Sequence, residues 1–262
     1  MASAVVMATT PPFKLDGGTA FSLAVAFSLM PSAQILAAYA LPKSTSRKLY
    51  YVFLWHAYDF LTHFIIESSY LYHCLCSYQQ LPARTPDISH PAAWGGEPQA
   101  FLYNRPDRRY GPFYSEGPMA RLWQEYAKAD RRWGGADLNI MSLEILTIGL
   151  GGPAAVYICY LVSKITISND ETVKNRYLPR LWFTASALAT GELYGGFMTF
   201  APEWLSGNTG LAGEDPVYLW LYLVFFNILW VFVPLWILYV AFGEISAAFR
   251  TGSRTNSSKK LT

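Results

Sequence analysis

Residues 216–242 read PVYLWLYLVFFNILWVFVPLWILYVAF, and no Asp, Glu, Lys or Arg falls between Asp215 and Glu244. A membrane span takes about 20 predominantly apolar residues, so this stretch is long enough to cross a bilayer. Pro234 lies inside it, where a proline kinks a membrane helix rather than ending it. Working outward, four more stretches have span length: 19–41, 50–77, 138–163 and 179–200, with Pro31 and Pro153 inside two of them. The composition agrees. It is 52% hydrophobic, 16% aromatic and 15% charged, against about 25% charged in soluble domains. These features predict an all-α, polytopic membrane protein, a bundle of five transmembrane helices over 19–242, with an N-terminal segment 1–18 and a tail 243–262.

Basic residues orient the bundle. Lys43, Arg47 and Lys48 follow the first span, Lys164, Lys174, Arg176 and Arg180 link the third to the fourth, and Arg250, Arg254, Lys259 and Lys260 lie in the tail. The loop 202–215 has no Lys or Arg. The bias of Lys and Arg toward the cytosol therefore predicts a lumenal N-terminus and a cytosolic C-terminus. The Ala38-Tyr39-Ala40 triplet mimics a signal-peptide cleavage site, but the apolar run before it is longer than the ~7–15 residues of such signals. Lys259 and Lys260 stand fourth and third from the carboxyl end, the pattern of a receptor-read retrieval address, which points to the endoplasmic reticulum membrane. Asn256-Ser257-Ser258 forms a glycosylation sequon that a cytosolic tail never uses.

The loop 78–137 is Pro- and Gly-rich up to Pro118, then turns helical over 119–133. Leu122, Trp123, Tyr126 and Ala127 share one face, and Arg121, Glu125, Lys128, Asp130, Arg131 and Arg132 share the other. That pattern predicts an amphipathic helix on the bilayer surface or capping the bundle. A net charge of +2 gives no electrostatic case for nucleic acid. Cys74, Cys76 and Cys159 show neither metal-ligand spacing nor a disulfide framework, so no metal is expected.

Ionisable residues inside spans are costly and mark function. Asp59, His63 and Glu67 recur at i, i+4 and i+8 on one face of the second span, with His56 one turn earlier. Glu144 falls in the third span, Glu192 in the fourth, and Asn227 and Trp230 in the fifth. At ~1.5 Å per residue, His63 and Glu67 lie roughly 20 and 25 Å from the cytosolic entrance. Glu144 lies roughly 9 Å from the lumenal one, and Glu192 about 20 Å from Pro179. All four fall in one lumenal-side layer of a core ~30 Å thick, with Asn227 nearer the midplane. The bland reading is polar glue between helices, about 1 kcal/mol per hydrogen bond. The sharper one is a water-poor acid–base cavity within the bundle. Desolvation there favours the protonated carboxyl, a neighbouring His relays the proton, and an indole face steadies a cation. Such a cavity suits protonation of an alkene or epoxide, a shielded carbocation, and proton loss elsewhere.

Several stretches resemble the emopamil-binding protein family, the EXPERA-domain membrane proteins that include sterol 8,7-isomerases. They are Phe60-Leu61-Thr62-His63-Phe64-Ile65-Ile66-Glu67, Leu122-Trp123-Gln124-Glu125-Tyr126-Ala127-Lys128, Ser142-Leu143-Glu144 with Gly152-Pro153, Leu193-Tyr194-Gly195, and 222–230 with Pro234. The resemblance implies a five-helix fold with a lipid-accessible sterol cavity. It implies that His63, Glu67 and Glu144 handle protons and that Asn227, Trp230 and Tyr194 line the cavity. It further implies a shift of the sterol C8=C9 double bond to C7=C8 without a cofactor. Departures are Ser68 where Gly usually follows the acid, Gly196 where an acid is common, the long second loop, and the added carboxyls Asp59 and Glu192, which stand beside the cation or substrate.

The expectation is an isomerase of sterol metabolism acting on a sterol or another isoprenoid lipid, with lipophilic amines as inhibitors because their ammonium mimics the cation. The alternatives are a terpenoid cyclase opening an epoxide or alkene, which Asp59 and Glu192 favour, and a non-catalytic sterol binder. The oligomeric state stays open, a homodimer included.

Overall fold

The computed structural model describes residues 13–81, 102–105 and 107–259, with side chains up to Thr251. This part of the chain is mostly helical. Helix α1 spans Gly17–Ala40. Helix α2, Arg47–Leu61, starts at the Ser46 cap, whose hydroxyl accepts from the Leu49 N–H. It runs through a π-helical turn, Thr62–Glu67, into α3, Ser68–Cys76. Helices α4, Pro118–Tyr126, and α5, Leu138–Leu146, follow. A second π turn, Thr147–Gly151, joins α5 to α6, Gly152–Ile167. Helix α7 spans Glu171–Ser206, and a third π segment, Tyr218–Phe225, leads into α8, Phe226–Lys259.

Three helical stretches are long and apolar enough to cross a membrane, Gly17–Ala40, Leu138–Ile167 and Tyr218–Thr251. The stretches expected as the second and fourth spans are helical as well, but the second carries His56, Asp59, His63 and Glu67 and the fourth Arg180 and Glu192, and they do not meet that apolar criterion. Helix α7 begins upstream of Pro179, because Asp170 caps it by accepting from the Thr172 N–H at 2.8 Å. Large apolar side chains such as Phe183, Phe232, Tyr239 and Phe242 are exposed on helix exteriors, the inverse of a water-facing surface and the pattern that lipid contact favours.

The long loop differs from the amphipathic helix expected over 119–133. The helical part ends at Tyr126, and Arg131–Gly134 forms a separate 3₁₀ turn capped by Asp130. A two-stranded antiparallel hairpin, β1 (Tyr78–Gln80) and β2 (Arg108–Tyr110), brackets the start of the loop, an element the all-α reading lacked. Most of the intervening Pro-rich stretch, 82–101, lies outside the described residues, as do residues 1–12.

The chain divides into two compact units. The first gathers Tyr70–Met141, Pro202–Asn227 and the N-terminal residues up to Ala24. It is built on aromatic rings: Trp123 and Trp133 stack at 4.9 Å, with Tyr70 and Tyr126 against them. The second unit gathers Val25–Ser69, Ser142–Ala201 and the residues from Ile228 onward. Its core is aliphatic and small: Ala33 and Ala37 of α1, Val52 and Ala57 of α2, Ile158 and Leu161 of α6, Leu181, Ala185 and Ala189 of α7, and Ile237 and Ala241 of α8. Small residues let helix backbones approach closely, which compensates for a weak hydrophobic drive between helices in lipid. Gly152 is one such place, since a Cβ there would sit 2.8 Å from the Phe64 ring.

Candidate active site

The second unit buries its ionisable residues on the faces that pack. Along α2 and the π turn, Val52, His56, Asp59, His63 and Ile66 are all buried, one stripe at helical spacing. On α7, Glu192 continues the buried row Leu181, Ala185, Ala189. His63 therefore sits between two carboxyls. Its Nδ1 hydrogen-bonds to Glu67 Oε2, and its Nε2 lies 2.7 Å from Asp59 Oδ1. The Asp59 contact is an ion-pair separation without hydrogen-bond alignment, and neither Asp59 oxygen accepts a hydrogen bond among the described residues. The imidazole fits because Gly151 faces it, leaving only 3.3 Å between His63 Nε2 and the place a Cβ would occupy.

Thr147 ties the other two acids together. Its hydroxyl lies 3.1 Å from Glu67 Oε2 and 3.4 Å from Glu144 Oε2. The Glu144 carbonyl lies at 3.1 Å from it as well, and one hydroxyl hydrogen serves one of these acceptors at a time. Both π turns fall here. The Ser68 N–H reaches back to the His63 carbonyl, and the Gly152 N–H to the Thr147 carbonyl, each a five-residue step. Such a turn inserts a residue into the helix, re-aims the side chains around it, and is frequent at functional sites.

Aromatic rings wall the imidazole. Trp230 lies 5.6 Å from the His63 ring and 5.1 Å from Trp55, with Tyr58 at 6.3 Å. Trp55 Nε1 donates to Glu192 Oε1 at 3.3 Å. The second unit thus places Asp59, His63, Glu67, Glu144, Glu192 and Trp230 in one cluster of acids, one base and a π face. Sequence reasoning missed Thr147 and Trp55. Each stood one helical turn from a named acid, Glu144 and Asp59, and that spacing was the available signal.

The remaining expected residues fall elsewhere. Asn227 belongs to the first unit. Its amide nitrogen donates to Tyr126 Oη at 3.0 Å and to the Tyr222 and Leu223 carbonyls at 3.1 and 2.9 Å, backbone groups of the third π segment. Tyr194 is exposed, 60% of its surface being open, because it stands two residues from Glu192 and so points about 200° away around the helix. Of the address lysines, Lys260 lies outside the described residues, and the Lys259 side chain likewise. Glu125, read as part of a solvent-facing stripe, is buried in the first unit, where Tyr222 Oη donates to it at 3.2 Å and Lys128 Nζ at 2.5 Å. Those two partners make its burial tolerable.

Residues 118–241 match the family model EBP, described as EXPERA (EXPanded EBP superfamily). The chain is 29% identical over 118 residues to the 3-beta-hydroxysteroid-Delta(8),Delta(7)-isomerase of Cavia porcellus, an overlap of 44% of this chain and 45% of that protein. A probable enzyme of the same name from Oryza sativa subsp. japonica is 25% identical over 220 residues, 82% of this chain and 78% of that protein. Isomeliandiol synthase of Melia azedarach is 23% identical over 141 residues, 54% of this chain and 60% of that protein. The match to the Cavia porcellus isomerase spans less than half the length of that protein.

Proposed function

From the match of residues 118–241 to the EBP/EXPERA family model, we propose that this chain belongs to that family and is a cofactor-independent isomerase that works by proton transfer on a sterol inside a five-helix membrane bundle. The observation that carries the reading is His63 held between two carboxyls with the Trp230 ring 5.6 Å from its own. The α7 and α2–α3 stretches are the two spans added to the three apolar ones, since their buried faces carry the polar side chains and their other faces carry Phe183, Phe64 and Ile65 outward. The Lys and Arg distribution supports a lumenal N-terminus and a cytosolic C-terminus.

The chemistry runs in two proton steps. A carboxylic acid of the Glu67/Glu144 pair gives up its O–H proton as a C–H bond forms at one carbon of the C8=C9 alkene. The adjacent carbon becomes a cation, which the Trp230 face and the carboxylate just formed stabilise. A C–H bond at C7 then breaks, its proton goes to a carboxylate of the cluster, and its electrons close the C7=C8 bond. No electrons leave the substrate, so the reaction balances without a redox cofactor. The aliphatic core around the cluster keeps out water that would hydrate the cation.

A second reading is a related acid-initiated enzyme that opens an isoprenoid epoxide. The extra carboxyls Asp59 and Glu192 favour it, and two relatives bear the name of a synthase rather than an isomerase. Expression in a yeast strain lacking its own sterol 8,7-isomerase, with sterol profiling, tests both. Restored Δ7 sterols support the isomerase. Accumulated Δ8 sterols with a correctly inserted protein reject it and leave the epoxide reading to be assayed on the purified protein.

A further inference from the structure

The cluster has a half that the proton steps above do not use. Asp59 is fully buried, and its two oxygens, Glu192 Oε2 and His56 Nε2 are buried atoms with no hydrogen-bond partner among the described residues. His56 gives its Nδ1–H to the Val52 carbonyl at 2.6 Å, which leaves Nε2 an acceptor. The donors directed at it among the described residues are Trp55 Nε1–H on Glu192 Oε1 and His63 Nε2 beside Asp59, the Cys159 thiol being turned to the Phe53 carbonyl. Among the described residues no group of three His, Cys, Asp or Glu is arranged to hold a metal. Buried acceptors without donors are rare. The donors this group lacks are protons on its own carboxyls, and Asp59 and Glu192 are close electrostatic neighbours.

The imidazole makes the same demand. Both ring nitrogens of His63 face carboxyls, Glu67 at Nδ1 and Asp59 at Nε2. A neutral ring carries one N–H, so its bare nitrogen needs a protonated carboxyl opposite it, whereas an imidazolium donates at both nitrogens and holds that proton on the ring itself.

We propose that Asp59 and Glu192 form a second, proton-carrying carboxyl pair, joined through His63 to Glu67 and Glu144, and that the imidazole passes a proton from this pair to the other. The inference rests on the acid–base reading above and deepens it. When the Glu67/Glu144 pair has given its proton to the substrate, the Nδ1–H bond of His63 breaks and an O–H bond forms at Glu67. As the Asp59 carboxyl turns into line with Nε2, 2.7 Å away, its O–H bond breaks and an Nε2–H bond forms. The ring ends as its other tautomer, nothing is oxidised or reduced, and no water is needed. Asp59 and Glu192 act through His63 and are positioning residues.

Infrared absorption of the full chain in lipid, recorded in H₂O and in D₂O, tests the pair without any substrate. The wild type is expected to show a protonated-carboxyl band that shifts in D₂O. That band weakens in Asp59→Asn and in Glu192→Gln, whose amide oxygen still accepts from Trp55, and the double variant loses no more than either single one. A wild-type band in both single variants overturns the proposal, whatever the substrate. Turnover is the second readout. Asp59→Asn should lower kcat by about 100-fold at unchanged KM. An unchanged kcat in a folded Asp59→Asn/Glu192→Gln protein overturns the relay. If the wild type shows the band but converts neither a Δ8 sterol nor an epoxide, the functional reading fails while the carboxyl pair stands.

Discussion

The two units bury charge in opposite ways. In the first, each buried acid has a cation. Arg132 Nη2 lies 2.6 Å from Asp130 Oδ2, and its Nε 3.5 Å from Glu203 Oε1, while Glu125 pairs with Lys128. Glu203 also accepts from the Gly210 N–H at 2.8 Å. Burial pushes the Asp130 carboxyl up, and the Arg132 guanidinium beside it opposes that rise. In the second unit, Asp59, Glu67, Glu144 and Glu192 share the His63 imidazole and, among the described residues, no Lys or Arg. Buried ion pairs with matched charges hold a fold in register. A set of acids around one base is unbalanced unless protons move onto it, and mobile protons are what an acid–base catalyst uses. The same residue type thus serves the fold in one unit and the proposed chemistry in the other.

The largest expected effect follows from the unbalanced unit. Glu67→Gln and Glu144→Gln keep size and hydrogen bonding but cannot exchange a proton. Each should lower turnover by ~10²–10⁴-fold with thermal stability in detergent nearly unchanged. Retained turnover in both would erase the contrast between the units. Next in size is the balanced unit. Arg132→Ala leaves Asp130 and Glu203 buried without their cation, with backbone N–H donors remaining, and should cost about 3–5 kcal/mol, read as a lowered melting temperature. Lost turnover at wild-type stability would place Arg132 with the catalytic group instead.

A smaller effect sharpens the role of the aromatic wall. A cation over an indole gains about 0.5–2 kcal/mol, so Trp230→Leu should weaken binding of a hydrophobic tertiary amine by roughly 2- to 30-fold. Affinity for a neutral isostere should hold. Equal weakening of both ligands would reduce Trp230 to packing. The smallest effect concerns the hairpin of the first unit, where Arg105 grips Asp107 with two bonds of 2.8 Å. The Arg105 guanidinium holds the Asp107 carboxyl well below the usual carboxylate range. A depressed pKa adds stability that is complete above the unfolded value, about 3.9, and fades as pH falls toward the folded one. The Leu81 amide, which donates to the Asp107 carbonyl at 2.8 Å, should lose protection, relative to its intrinsic exchange rate at the same pH, only under such acid conditions. Loss of its protection near neutral pH would contradict this account.

How far the sequence reached follows from which signals are periodic. The i, i+4, i+8 row of Asp59, His63 and Glu67 was legible because helix geometry alone puts those residues on one face, and their contacts with His63 follow. That Glu144 and Glu192 join them rested on counting rise per residue from the helix ends. The π turns were not legible. They are single-residue insertions paid for by packing, with no residue type that demands them, yet they aim His63, Glu67 and Thr147. Glu125 misled for a related reason. Its partner Tyr222 is 97 positions away, and a helical wheel cannot see a partner on another helix. Asn227 and Trp230 are one turn apart, but the boundary between the units falls between them.

The central claim is that protons move between this cluster and a sterol alkene. The most direct measurement is the conversion of a Δ8 sterol by the purified chain in D₂O, with deuterium located in the product. The account predicts a Δ7 sterol carrying solvent deuterium at C9, and no product from Glu67→Gln or Glu144→Gln. A Δ7 product without deuterium at C9, or full conversion by both variants, would contradict it.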